Sequence, residues 1–194
     1  MELKLDDVKS EDKGILGPCG TVCLGCDMHK DESFEAAKTV VKIWEGFNFE
    51  DTAEVFGLKP QDVVRTLETL KNYISFKEKS GPCQGCYMGG IAHCEMCPIV
   101  NCAKSKGYWT CAECEDFRPE SEHPCPHVEP VSTPFENKGA TFAMVCKRYG
   151  ANNIENLKRC REIGYPAFIS EIKEKTEKGW RTWQVISREK VVHG

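Results

Sequence analysis

Apolar side chains recur at helical intervals in two separate stretches of this chain, and between those stretches the pattern breaks off. Phe34, Ala37, Val41 and Trp44 repeat at three and four, which predicts one buried face of a helix starting near Glu32 with Asp31 as its cap. A short helix is predicted around Asp51–Phe56, stopped by Gly57. Pro60 suits a first helical position, and Val63, Val64, Leu67, Leu70 and Ile74 then form a second apolar stripe. Past Pro134 the period returns. Phe135, Phe142, Val145 and Tyr149 share a face, and Gly150 ends it. Asn153 caps a further helix with Ile154, Leu157 and Ile163 inward and Gly164 as the stop. Pro166 opens another, which carries Phe168, Ile169 and Ile172 and closes at Gly179. Trp183–Ser187 is rich in strand formers.

Between Lys79 and Pro134 no period is visible, and Gly-Pro-Cys, Gly-Gly, Cys-Pro and His-Pro-Cys-Pro steps mark turns throughout. A stretch of this length keeps a shape only with support of its own. The expected fold is therefore mainly α: a helical core with a loop-rich, metal-stapled, Cys-rich module. The expected organisation is a Cys-rich region over 1–134 with an inserted helical pair at about 31–76. A C-terminal helical region over 135–194 would pack on it.

Composition supplies the staple. The 194 residues include 13 cysteines, an odd number that leaves at least one unpaired in any intramolecular disulfide scheme. The opening Met1-Glu2-Leu3-Lys4-Leu5-Asp6-Asp7 is charged, with neither the apolar core nor the cleavage site of a secretory leader. No apolar run reaches the length of a membrane span. The expected location is cytoplasmic, where thiols stay reduced and metal competes better than disulfide.

Eleven of the cysteines fall into two groups. Cys19, Cys23 and Cys26 stand within eight residues, with Gly20 and Gly25 to allow tight turns. Cys83, Cys86, Cys94, Cys97, Cys102, Cys111, Cys114 and Cys125 form the second group, which holds three C-x2-C knuckles. Each knuckle aims two sulfurs at one ion, about 2.3 Å from each. His93 and His127 are candidates to complete a set, while Cys146 and Cys160 read as core residues on helices. One grouping open to the spacing joins Cys83 and Cys86 to Cys111 and Cys114, with Cys97 or Cys102 completing the 19–26 triad. That triad has the C-x3-C-x2-C spacing of radical S-adenosylmethionine enzymes, but the series of strands those enzymes build is not predicted here.

Thiolate-dominated ligation without a His-Glu-x-x-His pattern points to closed, structural zinc and to action by binding a protein partner or ligand. The alternative is a [4Fe–4S] redox protein passing electrons to a partner enzyme, suggested by the tight triad and the Cys97-Pro98 step. No catalytic residue can be assigned. The formal charge is −4, and two four-thiolate zinc sites would take it to about −8. Nucleic-acid binders need a basic footprint, so nucleic acid is not an expected partner, and neither is a membrane. Ala53-x3-Gly57-x5-Val63 has loose helix-turn-helix spacing, but Asp62 and Glu68 face Arg65 and Lys71 on the would-be recognition helix.

The combined motif is more specific than any knuckle. Pro18-Cys19-Gly20-x2-Cys23-x2-Cys26, Cys83-x-Gly85-Cys86, Cys97-Pro98-Ile99-x2-Cys102-Ala103 and Lys106-Gly107-x3-Cys111-x2-Cys114-x2-Phe117 resemble the cysteine-rich domain-of-unknown-function family numbered 3795. The resemblance spans about residues 15–120 and implies metal binding, generally taken as zinc, with no activity attached. It singles out Cys19, Cys23, Cys26, Cys83, Cys86, Cys97, Cys102, Cys111 and Cys114, with Cys94 as an addition. Cys125 lies further past the last knuckle than the family pattern has it.

Overall fold

The computed structural model describes residues 8–90, 97–117, 125–132, 138–142 and 152–185. The fold is mainly α, as the periodicity predicts, and among the described residues there is one two-stranded antiparallel sheet. The helices are α1 (Asp27–Lys30), α2 (Glu32–Gly46), α3 (Phe49–Thr52), α4 (Pro60–Ser80), α5 (Pro98–Ser105), α6 (Asn152–Ile163) and α7 (Tyr165–Glu177). The strands are β1 (Val128–Ser132) and β2 (Lys138–Phe142). No helix among the described residues is long and apolar enough to cross a membrane. The chain divides into two compact units, one of residues 30–83 and the other of residues 1–29 with 84–194.

Unit 30–83 is a helical hairpin of α2 and α4 joined through α3. Ala37, Val41 and Val63 are buried along it, while Phe34 and Trp44 are half-buried. Asp31 holds the N-cap position of α2 but does not cap it. Its backbone is left-handed (φ 59°), and its Oδ1 lies 2.5 Å from the Lys77 ammonium near the end of α4. Lys77 is only 2% exposed, so this pair closes the hairpin inside low-dielectric surroundings. Ser33 and Tyr73 hydroxyls meet at 2.6 Å and tie the same two helices.

The second unit packs around Trp109, Tyr165, Leu16, Ile99 and Leu157, all nearly inaccessible to solvent. Burying side chains of this size stabilises by roughly 2–3 kcal/mol each. The Trp109 indole donates to the Lys13 carbonyl at 3.1 Å, and its ring lies 4.8 Å from that of Tyr165. The C-terminal helices therefore share one core with the N-terminal cysteine loop. Gly20, at φ 85°, passes the Asn153 carbonyl so closely that a Cβ would collide with it.

Beyond the Asp31 cap, other expectations change. The helix expected through Phe142 is instead β2, which pairs Val128 with Phe142 and Ser132 with Lys138. Gly139 and Thr141 are weak helix formers, and the cross-strand ladder outweighs a spacing of seven between Phe135 and Phe142. Phe135, Val145, Cys146, Tyr149 and Gly150 lie outside the described residues. Of Trp183–Ser187, rich in strand formers, the residues through Val185 belong to a 3-10 turn over Thr182–Val185, and the rest lie outside the described residues. The stretch read as aperiodic contains α5, with Pro98 at its start and Ile99, Val100 and Ala103 buried. Pro at the first position and Ile99, Cys102 and Ala103 at three and four were its available signals.

A candidate metal centre

The Cys111–Cys114 knuckle is a single 3-10 turn, closed by the Cys114 N–H donating to the Cys111 carbonyl at 3.1 Å. A reciprocal cap builds it. Thr110 Oγ1 accepts from the Ala112 N–H at 3.2 Å, while Glu113 Oε1 accepts from the Thr110 N–H at 3.1 Å. Glu113 Oε1 also accepts from the Trp109 N–H at 2.7 Å and from the Tyr165 hydroxyl at 2.5 Å. From α6, Arg161 donates to the Ala112 carbonyl at 2.9 Å and to the Cys114 carbonyl at 2.8 Å. From the N-terminal loop, the Pro18 carbonyl accepts the Cys111 N–H at 2.9 Å. Three distant parts of the chain thus fix this turn by its backbone, which leaves both sulfurs for the cavity beside it.

That cavity measures 190 Å³ and is lined by Cys102, Cys111, Cys114 and Cys125, with Lys106 and Asp116 at its edge. α5 carries Cys102, and Lys106 caps its C-terminus. Cys125 is brought in by its N–H, which donates to the Asp116 carbonyl at 2.8 Å. Apolar walls come from Ile99, Ala103 and Phe117, and the Arg161 guanidinium sits 5.3 Å above the Phe117 ring. Cys114 is buried, and the other three cysteines are half-buried.

The electrostatics of the cavity favour neutral thiols. Burial pushes the Cys111 thiol well above its ordinary value, and the Cys125, Cys114 and Cys102 thiols add to the shift. Burial also raises Cys125, against a backbone hydrogen bond from His127 that works the other way. Lys106 donates to Asp116 Oδ2 at 2.7 Å and to Cys114 Sγ at 3.4 Å, and these contacts raise its own pKa. Ionising four neighbouring thiols requires positive charge between them, which a metal centre would supply.

The other candidates sit differently. Cys19 and Cys23 are buried on a loop closed by the Leu16–Val22 bridge. Cys19 Sγ lies 3.2 Å from Thr21 Oγ1 and accepts from Asn153 Nδ2 at 3.7 Å, while Cys23 Sγ donates to the Thr21 carbonyl at 3.7 Å. Cys26, Cys86 and Cys97 pack against the same core. Cys83 ends the helical unit, whereas Cys86 belongs to the other. Cys111 and Cys114 therefore share their cavity with Cys102 and Cys125, a different grouping from the one that joined them to Cys83 and Cys86. His127 borders the cavity, and His93 and Cys94 lie outside the described residues. Cys160 is fully buried in the core, as its helical position predicts. None of the described cysteines forms a disulfide. Among the described residues, no group of three or more His, Cys, Asp or Glu side chains converges as it would on a single metal ion.

Sequence reasoning missed Glu113, Arg161 and Tyr165. Glu113 carried a signal, since Thr110-x2-Glu113 is a capping-box pattern. Arg161 and Tyr165 carried none, because their role depends on how α6 and α7 pack.

The family model described as a protein of unknown function (DUF3795) matches residues 15–129, a range that includes Cys125. No curated protein and no solved structure matches the chain.

Proposed function

This chain belongs to the DUF3795 family, and from that premise we propose that it is an iron–sulfur protein whose cluster occupies the cavity framed by Cys102, Cys111, Cys114 and Cys125. The single observation behind this reading is that four thiols stand around 190 Å³ of space. Zinc at about 2.3 Å from each of four sulfurs draws them to about 3.8 Å from one another and leaves no such room. A polynuclear centre would use that space, with Cys102, Cys111, Cys114 and Cys125 as its donors. Such a cluster would supply one-electron transfer. The chain's own part is to fix the donors through Glu113 and Arg161, to line the site with apolar groups, and to direct the Lys106 ammonium at Cys114. Hydrogen bonds to sulfur tune such centres.

A structural zinc site is the second reading, favoured by the closed C-x2-C turn and the all-thiolate donor set. One preparation separates the two. Protein purified without oxygen is expected to be brown, with broad absorbance near 400 nm and with iron and acid-labile sulfide in equal amounts. A colourless protein with stoichiometric zinc and no iron overturns the cluster. A protein with neither metal overturns both.

A further inference from the structure

At the turn end of the helical hairpin, three aromatic rings gather around Phe49. Its centroid lies 4.6 Å from that of Trp44, 5.3 Å from Phe56 and 6.3 Å from Phe47. Trp44 and Phe49, with Val64 and Leu67 of α4, line an open cavity of 360 Å³. Its remaining walls are mostly acidic: Glu45, Glu50, Asp51 and Glu68, with Asn48 and the single cation Lys71. Lys71 is already paired with Glu45 at 2.7 Å. Among the described residues, no cation pairs with Glu50, Asp51 or Glu68. Next to this cavity Phe47 and Phe56 are more than half exposed, and Val55 is 83% exposed.

These features together constrain the occupant. A small amine satisfies the carboxylates but leaves Phe47, Val55 and Phe56 in water. A purely apolar ligand covers the rings but desolvates three carboxylates without pairing them. Nucleic acid and anionic lipid are both repelled by the acidic mouth. A helix with an apolar stripe and flanking Lys or Arg satisfies every element, in the helix-in-groove manner. We propose that this end of the helical unit docks a basic amphipathic segment of a partner protein. The partner's cations pair with Glu50, Asp51 and Glu68, and its apolar side chains cover Phe47, Val55 and Phe56. The inference does not rest on the metal reading.

The test uses the full chain and a fluorescein-labelled helical peptide with Leu at i, i+3, i+4 and i+7 and Lys elsewhere. Saturable one-to-one binding is expected by anisotropy. The triple variant Glu50→Gln, Asp51→Asn, Glu68→Gln should weaken it at least tenfold, as should Val55→Lys. Each substitution falls on an exposed side chain, so the circular dichroism should stay unchanged. A control with the same change in net charge, Glu11→Gln, Glu78→Gln, Glu177→Gln, should leave affinity within twofold. The proposal is overturned if the control weakens binding as much as the triple variant, or if a Glu-for-Lys peptide binds equally well. It is also overturned if spermidine alone displaces the peptide completely, which would assign the site to free amines. A dimer of the chain that Val55→Lys dissociates would assign the face to a second copy instead.

Discussion

Arg161 holds Cys114 by its main chain: the guanidinium donates to the Cys114 carbonyl at 2.8 Å while the cysteine sulfur lines the cavity. A side chain on α6 therefore orients a candidate ligand without touching the position a metal would take. Hydrogen bonds from a charged donor contribute about 1.5–3 kcal/mol each. Arg161→Met should lower stability by about 3 kcal/mol, seen as a shifted urea midpoint. It should also reduce the metal retained per chain after desalting. Arg161→Lys keeps the charge but not the two-pronged geometry, and should recover less than half of the loss.

Cys125 should behave as a member of the same set as Cys111. Cys125→Ser and Cys111→Ser are each expected to reduce bound metal at least severalfold, measured by elemental analysis of anaerobic protein. Cys160→Ser should leave the metal content unchanged. Burial pushes the Cys160 thiol up to about 12, so it should also resist alkylation in the native state. Undiminished metal in Cys125→Ser would remove that residue from the site.

The Tyr165 hydroxyl gives the fold an alkaline limit. Burial, then the hydrogen bond to Glu113, raises its pKa well above the ordinary tyrosine value. The native state disfavours the phenolate, whereas an unfolded tyrosine ionises near pH 10. The stabilisation is fully present below about pH 10 and is lost as the pH rises beyond it. Tyr165→Phe should be less stable than the parent at pH 7, by about 1 kcal/mol for the lost hydrogen bond. The gap should narrow above pH 10 in parallel urea titrations. A gap that widens there would refute this account.

Lys77 and Asp31 form the ion pair that closes the helical hairpin, with the Lys77 side chain wholly inaccessible. Removing one partner of a buried pair costs about 3–5 kcal/mol, because the other charge is stranded. Lys77→Met should therefore destabilise the helical unit, detected as an early loss of helical circular dichroism on heating. Adding Asp31→Asn should restore part of it, since Asn also tolerates the left-handed backbone at that position. A double variant no more stable than Lys77→Met would show that the carboxylate is not the source of the loss.

What could be read from sequence followed local rules. The stripes Ala37–Val41 and Phe168–Ile169–Ile172 lie where their period places them, and Gly57 stops its helix with a left-handed backbone. Asp31 was legible as a boundary but not as the partner of Lys77, forty-six positions along the chain, because ion pairing across a hairpin leaves no local pattern. The Cys111–Cys114 knuckle was visible from spacing alone. That Cys102 and Cys125 share its cavity was not. Cys102 arrives on a helix hidden among turn residues, and Cys125 arrives through one backbone hydrogen bond to Asp116. Phe142 misled because a helical interval and an alternating strand can share the same apolar position.

The cap on the knuckle has a further consequence for synthesis of the chain. Cys102, Cys111, Cys114 and Cys125 are all synthesised before Arg161 and Tyr165. The nascent chain presents its donors while the groups that frame them do not yet exist. The cavity is completed only once α6 and α7 have emerged, so any metal it took would meet the finished frame only after translation. A chain truncated before α6 would keep the four thiols and lose the frame that directs them.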